Sequence, residues 1–326
     1  MSHLIDWNPE TFAALEQQIL VARHRLHELD LFSDEGLVEI LDRQPDEALG
    51  LSTMNADSMT FEWRDGDRGG VSGETLLETV RRGQLWINCR QLMRHQPHLA
   101  RLVNEIYDEL EGGNPQFRAE DRTANLLISS PSAVVHYHVD MPVNMLWHLR
   151  GQKRVWVYPP FDTRVASLQA LENVCVNKWS EEIPYDASYD QYAEVFDAQP
   201  GQLITWPQLT PHRVTNLDGL NVSLSTEHKN PAARRRLNVH QANHFLRHRL
   251  GLNPSSASID GVQAHAKQLL ARSVRYVNKL TATKPKVFEY PKSFVVDPSQ
   301  PLGYRVLDGE AGKTVAPHME QEAVTV

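Results

Sequence analysis

The chain has 326 residues, 41% hydrophobic and 23% charged, with a formal net charge of −8. That is enough for one large core, or a core with a smaller helical region, and the composition suits a soluble globular protein. No apolar run approaches the roughly 18 residues of a membrane span. Met1–Trp7 lacks the basic and apolar regions of a secretory signal, and two cysteines, Cys89 and Cys175, are too few for a disulfide framework. A reducing, cytoplasmic location and no membrane partner are therefore expected.

In chain order, residues 9–30 read as a helix, with Phe12, Leu15, Ile19, Leu20 and Ala22 apolar and charges between them. A second helix follows over 33–41, with Ser33 as N-cap and Asp34 and Glu35 in its first turn. Gly50 to Trp63 reads as a pair of short strands closed by a turn over 64–70. Helices are expected near 73–82 and 97–111, a strand at Leu85–Asn88, and a break at Gly112-Gly113-Asn114-Pro115.

From about residue 122 the period changes to that of strands. Short strands are expected at 124–129, 133–140, 145–149, 154–158, 203–206, 213–216 and 221–226, with the two middle ones meeting around Gly151. After Pro231 the pattern returns to helix over 233–250 and 260–280, and from Pro285 the chain reads as an irregular tail. The fold class is a mainly β core with helical flanks (α+β), the core a barrel or jelly roll rather than a parallel sheet. Three regions follow: 1–115, helical with a few strands lent to the barrel; 116–228, the barrel; and 229–326, C-terminal helices and tail.

Charge is unevenly spread. Lys229 to Lys292 carries 13 Lys/Arg against 2 Asp/Glu, so the rest of the chain is strongly acidic. Packing of this segment against the acidic body or a second subunit is the plain reading, and steering of an acidic partner the sharper one. Arg234-Arg235-Arg236 alone does not make nucleic acid an expected partner. A homodimer through the C-terminal helices is one use for the segment.

The residues that carry chemistry are His138, Asp140 and His212. On a strand, positions i and i+2 face the same way, so His138 and Asp140 can reach one ion, with His212 arriving from elsewhere in the barrel. Two imidazoles and one carboxylate leave open coordination positions and suit non-haem Fe(II) that activates O₂. His136 shares that face and reads as a core histidine or a neighbour of the site. His240, His244 and His248 line one helical face without a matching acid. Trp147, Trp156, Trp179 and Trp206 read as core or pocket wall.

Around His212 the order Gly201, Pro207, His212, Asn216 resembles the second cupin motif, with Leu209 where that motif has a glycine. His136 and His138 supply the His-x-His of the first motif, but its Glu is missing and Asp140 takes the carboxylate role. Together with Gly151-Gln152-Lys153-Arg154, an apolar strand and Pro159-Pro160, this resembles the JmjC-like, cupin-type Fe(II)/2-oxoglutarate-dependent dioxygenases. The order and spacing are similar to those of the asparaginyl hydroxylase acting on hypoxia-inducible factor.

The resemblance implies a double-stranded β-helix (cupin/jelly-roll) barrel, with Fe(II) on His138, Asp140 and His212. It implies 2-oxoglutarate as cosubstrate and O₂ as oxidant, with hydroxylation of a C–H bond on a protein side chain or a small molecule. It gives Lys153 the distal carboxylate of 2-oxoglutarate, Asn144 a place near its metal end, and Thr226 a place in the pocket. The family's usual threonine falls at Val135, so another hydroxyl, Ser129 or Tyr137, has to serve. Two rivals remain: a metal cupin acting as isomerase or 2-oxoglutarate-independent dioxygenase, and a non-catalytic cupin-type binding or regulatory protein.

Overall fold

The computed structural model describes residues 4–54, 63–280 and 291–307. The expected helix over 9–30 is broken. Helix α1 (Pro9–Ala14) is capped by Asn8, whose Oδ1 accepts from the Thr11 N–H at 2.8 Å, and stops at Leu15. Glu16 then turns left-handed, with φ 65°, and the chain re-enters as strand β1 (Leu20–Arg23). Strand β1 pairs antiparallel with β9 (Gln202–Thr205), a contact that overrides the local helical period.

Helix α2 (Asp34–Arg43) has the expected cap, Ser33 Oγ accepting from Gly36 N–H. Strands β2 (Leu49–Met54) and β3 (Trp63–Asp67) pair antiparallel, but the second strand begins at Trp63, where the expected one ends, and runs through the expected turn to Asp67; residues 55–62 lie outside the described ones, and Gly69 and Gly70 adopt positive φ. Then come α3 (Gly73–Arg82), β4 (Trp86–Cys89), α4 (Leu92–His95) and α5 (Pro97–Gly113). The C-terminal part of the chain adds β5 (Glu120–Ser129), β6 (Val134–His138), β7 (Val143–Val157), α6 (Leu168–Cys175), β8 (Glu194–Ala198), β9, β10 (His212–Lys229), α7 (Pro231–Leu250) and α8 (Val262–Leu280).

From Pro285 an irregular tail is expected. Residues 281–290 lie outside the described ones, but strands β11 (Lys292–Val296) and β12 (Tyr304–Val306) belong to the sheet, β11 parallel to β3. That is a correction with the same cause as β1: the partner strand is far away in the chain, so no local period announces it.

Two long strands make the barrel. The segments expected on either side of Gly151 are one strand, β7, which turns at Gly151 with φ 78°; a Cβ there would lie 2.7 Å from the Leu220 carbonyl. Strand β10 likewise merges the segments expected at 213–216 and 221–226, shifting register around Asp218. The first half of β7 pairs with β9 and the second half of β10, which continues through β5, β4, β2 and β3 to β11 and β12. The second half of β7 pairs with β8 and the first half of β10, which holds β6. Both strands thus pass from one layer of the jelly roll to the other.

Strand alternation sorts the side chains. Val222, Leu224 and Thr226 on β10, Ala124, Leu126 and Ile128 on β5, and Met145, Trp147 and Leu149 on β7 are buried away from the barrel interior. The apolar ones pack with Leu37 and Ile40 of α2, Leu76 and Val80 of α3, and Val103, Ile106 and Leu110 of α5. Each such side chain removed from water contributes about 1.5–3 kcal/mol, so this helical backing fixes which face of the sheet looks inward. The opposite parity, including Asn144, Leu146, Ser225 and Glu227, lines the barrel cavity.

Candidate metal centre

His138 and His212 are cross-strand neighbours in the β6–β10 ladder, with ring centroids 4.0 Å apart. Strand β6 ends at His138, so Asp140 lies just past it rather than on it. Its position is held from outside: Val139 N–H donates to the Glu181 carbonyl (3.0 Å) and Met141 N–H to Glu181 Oε1 (3.0 Å). Asp140 Oδ1 comes within 3.8 Å of His138 Nε2 and Oδ2 within 3.4 Å of His212 Nε2. Ligand atoms of all three lie within 4.8 Å of one another, the one such grouping among the described residues; His240, His244 and His248 form none.

Hydrogen bonds fix the tautomers. His138 Nδ1 lies 2.7 Å from the His136 carbonyl and His212 Nδ1 3.1 Å from the Thr210 carbonyl. A carbonyl accepts only, so each Nδ1 carries the hydrogen and each Nε2 presents a lone pair toward Asp140, the arrangement of metal-ligating imidazoles. Burial, and then His138, lowers the basicity of His212 well below the usual imidazole value. Burial raises the Asp140 carboxyl, against the pull of His138 and of the Asn144 hydrogen bond. Two imidazole nitrogens and one carboxylate aimed at one point are a donor set that a divalent cation fits.

The turn leading to His212 departs from its motif in sequence but not in shape. Leu209 stands at the glycine position and adopts φ 61°, the left-handed conformation a glycine would take. Its N–H reaches the Asp140 carbonyl (3.3 Å), and its side chain is buried in the cluster of Tyr137, Val139, Tyr158 and Leu171. The backbone strain thus serves a link between the two halves of the metal site. Trp206 packs on the His212 ring, centroids 4.2 Å apart.

The three ligands open onto a cavity of about 760 Å³ whose lining includes His136, Asn144, Lys153 and Ser129. Lys153 is 5% exposed and makes no hydrogen bond or ion pair with a described residue. Burial pushes its ammonium down to about 7. Asn144 Nδ2 donates to Asp140 Oδ2 (2.9 Å), and its Oδ1 accepts from Ser225 Oγ (3.2 Å). Asn144 therefore stands against the Asp140 carboxylate.

Thr226 is not in the cavity. Its Oγ1 accepts from Trp147 Nε1 (2.8 Å) on the helical side of the sheet, and Ser225 takes the inward place. Parity decides this: Val222 and Leu224 pack toward the helices, so Thr226, two further on, must as well. Tyr137 is also elsewhere, its hydroxyl donating to the Val165 carbonyl (2.7 Å). Ser129 does line the cavity; its Oγ accepts from Asn216 Nδ2 (2.8 Å), and Asn216 is the ladder partner of Lys153.

The strands also bring in side chains that carried no motif: Trp63, Asp65, Trp86, Asn125, Glu181, Glu182 and Glu227. Asn125 and Glu227 were readable from strand alternation. Glu181 and Glu182 come from the insertion between β7 and β8, which carries no period that would place it.

Among known proteins, the model of the cupin-like domain family matches residues 71–233. The structure of Escherichia coli ycfD is 15% identical, covers 86% of this chain and 70% of that one, and has a TM-score of 0.50, which shows a shared fold. A structure titled as the Escherichia coli ribosomal oxygenase YcfD matches at 14% identity over 86% and 69% of the two chains, TM-score 0.48. Another, in complex with cobalt and 2-oxoglutarate, matches at 15% over 84% and 68%, TM-score 0.48. No curated protein matches in sequence. No helix among the described residues is long and apolar enough to cross a membrane.

Proposed function

This chain belongs to the cupin-like domain family, and from that premise we propose that it is an Fe(II)- and 2-oxoglutarate-dependent oxygenase that hydroxylates a C–H bond. The observation that carries the reading is the convergence of His138 Nε2, His212 Nε2 and an Asp140 carboxylate oxygen on one point at the edge of a cavity. That donor set fits ferrous iron with open positions. Once bound, iron with 2-oxoglutarate supplies the oxidising power drawn from O₂.

The rest is the work of this chain's own residues. Lys153 and the ladder partner of His212, Val157, sit four residues apart on β7 and face the same way, which is about 13 Å along a strand. An extended lysine and a five-carbon dicarboxylate together span that gap, one carboxylate on Nζ and the other end at the metal. A buried ammonium without an anion and an incoming dicarboxylate each supply what the other lacks. Ser129 Oγ, tethered through Asn216 beside Lys153, is the hydroxyl for the same carboxylate. Asn144 holds Asp140 and so the orientation of the third ligand. Leu146, Trp206 and Val214 line the wall and limit water at the reacting centre.

A reducing compartment suits this chemistry, because it keeps iron ferrous. A dimer through the C-terminal helices is supported by Val262, Leu269 and Tyr276, exposed at seven-residue spacing on α8, and light scattering tests it. The oxygenase reading is tested by His138→Ala and Asp140→Ala, each of which should abolish succinate release from 2-oxoglutarate. Normal turnover in either refutes it.

A further inference from the structure

The cavity is lined by carboxylates that the metal and cosubstrate do not use. Glu227 faces inward from β10, Glu181 and Glu182 from the β7–β8 insertion, and Asp65 from β3. None of the four has an ion-pair partner among the described residues. Their hydrogen bonds are to neutral groups. Glu227 Oε1 accepts from Asn125 Nδ2 (3.1 Å), Glu181 from Met141 N–H, Glu182 from Ser180 Oγ, and Asp65 Oδ1 from Ser52 Oγ (2.8 Å) and Trp63 Nε1 (2.7 Å). The cations on the same wall are engaged or reserved: Lys292 pairs with Asp67, Arg90 donates to the Glu47 carbonyl, and Lys153 is the anchor for a dicarboxylate.

We propose that the substrate of this site is an organic cation, a protonated amine or a guanidinium, seated among Asp65, Glu181, Glu182 and Glu227; the proposal rests on the oxygenase reading above. Glu181 repels Glu182, and Glu182 repels Asp65, which Arg90 attracts from the same wall. Each lines the cavity as a carboxylate whose hydrogen bonds come from neutral groups. Such a group is unfavourable in an empty cavity and becomes favourable when a cation enters. Two indoles stand beside it, Trp63 and Trp86, edge to face with centroids 5.5 Å apart, and an indole face attracts a cation and its alkyl stem. The cavity thus carries the Lys153 ammonium, the three metal ligands, and four carboxylates with two indoles among its lining.

Amine or guanidinium chemistry can come from a basic side chain of a polypeptide or from a free amine, and the test separates the two. The full chain, loaded with iron and 2-oxoglutarate without oxygen, is titrated calorimetrically with agmatine and cadaverine. The same is done with acetyl-Gly-Arg-Gly-amide and acetyl-Gly-Lys-Gly-amide, and with their neutral citrulline and norleucine counterparts. Cationic probes should bind at least about tenfold more tightly than the neutral ones, the contribution of one charged hydrogen bond. Asp65→Asn and Glu182→Gln should each erase most of that preference; if D65N misfolds, E182Q carries the test. Tighter binding of the peptides assigns a polypeptide source, and tighter binding of agmatine or cadaverine a free amine.

Equal binding of neutral and cationic probes, or a preference that survives in both variants, overturns the proposal. If iron and 2-oxoglutarate bind while no cation does, this inference fails and the oxygenase reading stands. If iron and 2-oxoglutarate themselves fail to bind, both fall.

Discussion

Replacing Lys153 by methionine keeps an unbranched apolar stem and removes the amine, and the structure gives opposite expectations for folding and for binding. The ammonium is held down to about 7 from 10.5 by burial alone. At about 1.36 kcal/mol per unit this difference amounts to about 5 kcal/mol, an upper bound because the cavity admits water. The folded value lies below the unfolded one, so between those limits the unfolded chain holds more protons and stability rises with pH. The penalty is fully present below pH 7 and fades toward 10.5. Lys153→Met should therefore stabilise the empty protein by roughly 3–5 kcal/mol at pH 6, with the gain shrinking as pH rises.

Ligand reverses the order. In the wild type, 2-oxoglutarate at about a hundred times its dissociation constant adds about 2.7 kcal/mol of stability, and the variant should gain little of it. Because the bound form needs the ammonium, wild-type affinity should fall above pH 7 by about tenfold per unit. Urea unfolding at pH 6, 7.5 and 9, with and without 2-oxoglutarate, reads both effects. A variant no more stable than the wild type at pH 6, or one stabilised equally by the dicarboxylate, refutes the reasoning.

His212→Ala should lower bound iron by on the order of a hundredfold or more, since two protein ligands neither hold nor orient the ion; elemental analysis after dialysis measures it. Leu209→Gly relieves about 1–2 kcal/mol of left-handed backbone strain but empties a buried site worth about 2–5 kcal/mol, so thermal unfolding should fall, not rise. Cys89 and Cys175 are both buried, and burial raises each thiol, Cys89 to about 12. Neither should react with a thiol reagent in the native protein, and both should react after denaturation.

What was legible in the sequence is what local chemistry determines. Ser33, Gly73 to Arg82 and the run ending at Gly113 announce their helices through caps and a 3.6-residue period. His138 and Asp140 declare a shared ligand point. That the third ligand is the direct ladder partner of the first was not legible, because nothing near His138 encodes the register of β6 on β10. The same holds for Leu20–Arg23, whose apolar residues suit a helix until β9 supplies a strand to pair with, and for β11, whose partner β3 lies near the start of the chain. Thr226 is a different kind of miss. The alternation Val222, Ser223, Leu224, Ser225 already assigns the inward face to the serines, and this parity overrides the motif spacing that points to Thr226.

Parity also explains how one sheet serves two purposes. On β10 the odd positions Ser225 and Glu227 face the cavity and the even positions Val222 and Leu224 face the helices, so polar function and apolar folding are carried by the same stretch of strand without competing for space. On β7 the turn at Gly151 hands the strand to the second layer, so that Lys153, Val155 and Val157 look into the same interior as Asn144 and Leu146. On the proposed reading, the Lys153 amine and the imidazole pair set the length of dicarboxylate that can bridge them, and the cavity carboxylates favour a cationic substrate. Moving Ser225 or Glu227 by a single residue would turn it into the helical core, and moving Lys153 by one would turn it outward beside Gln152 and Arg154, so the site depends on strand register.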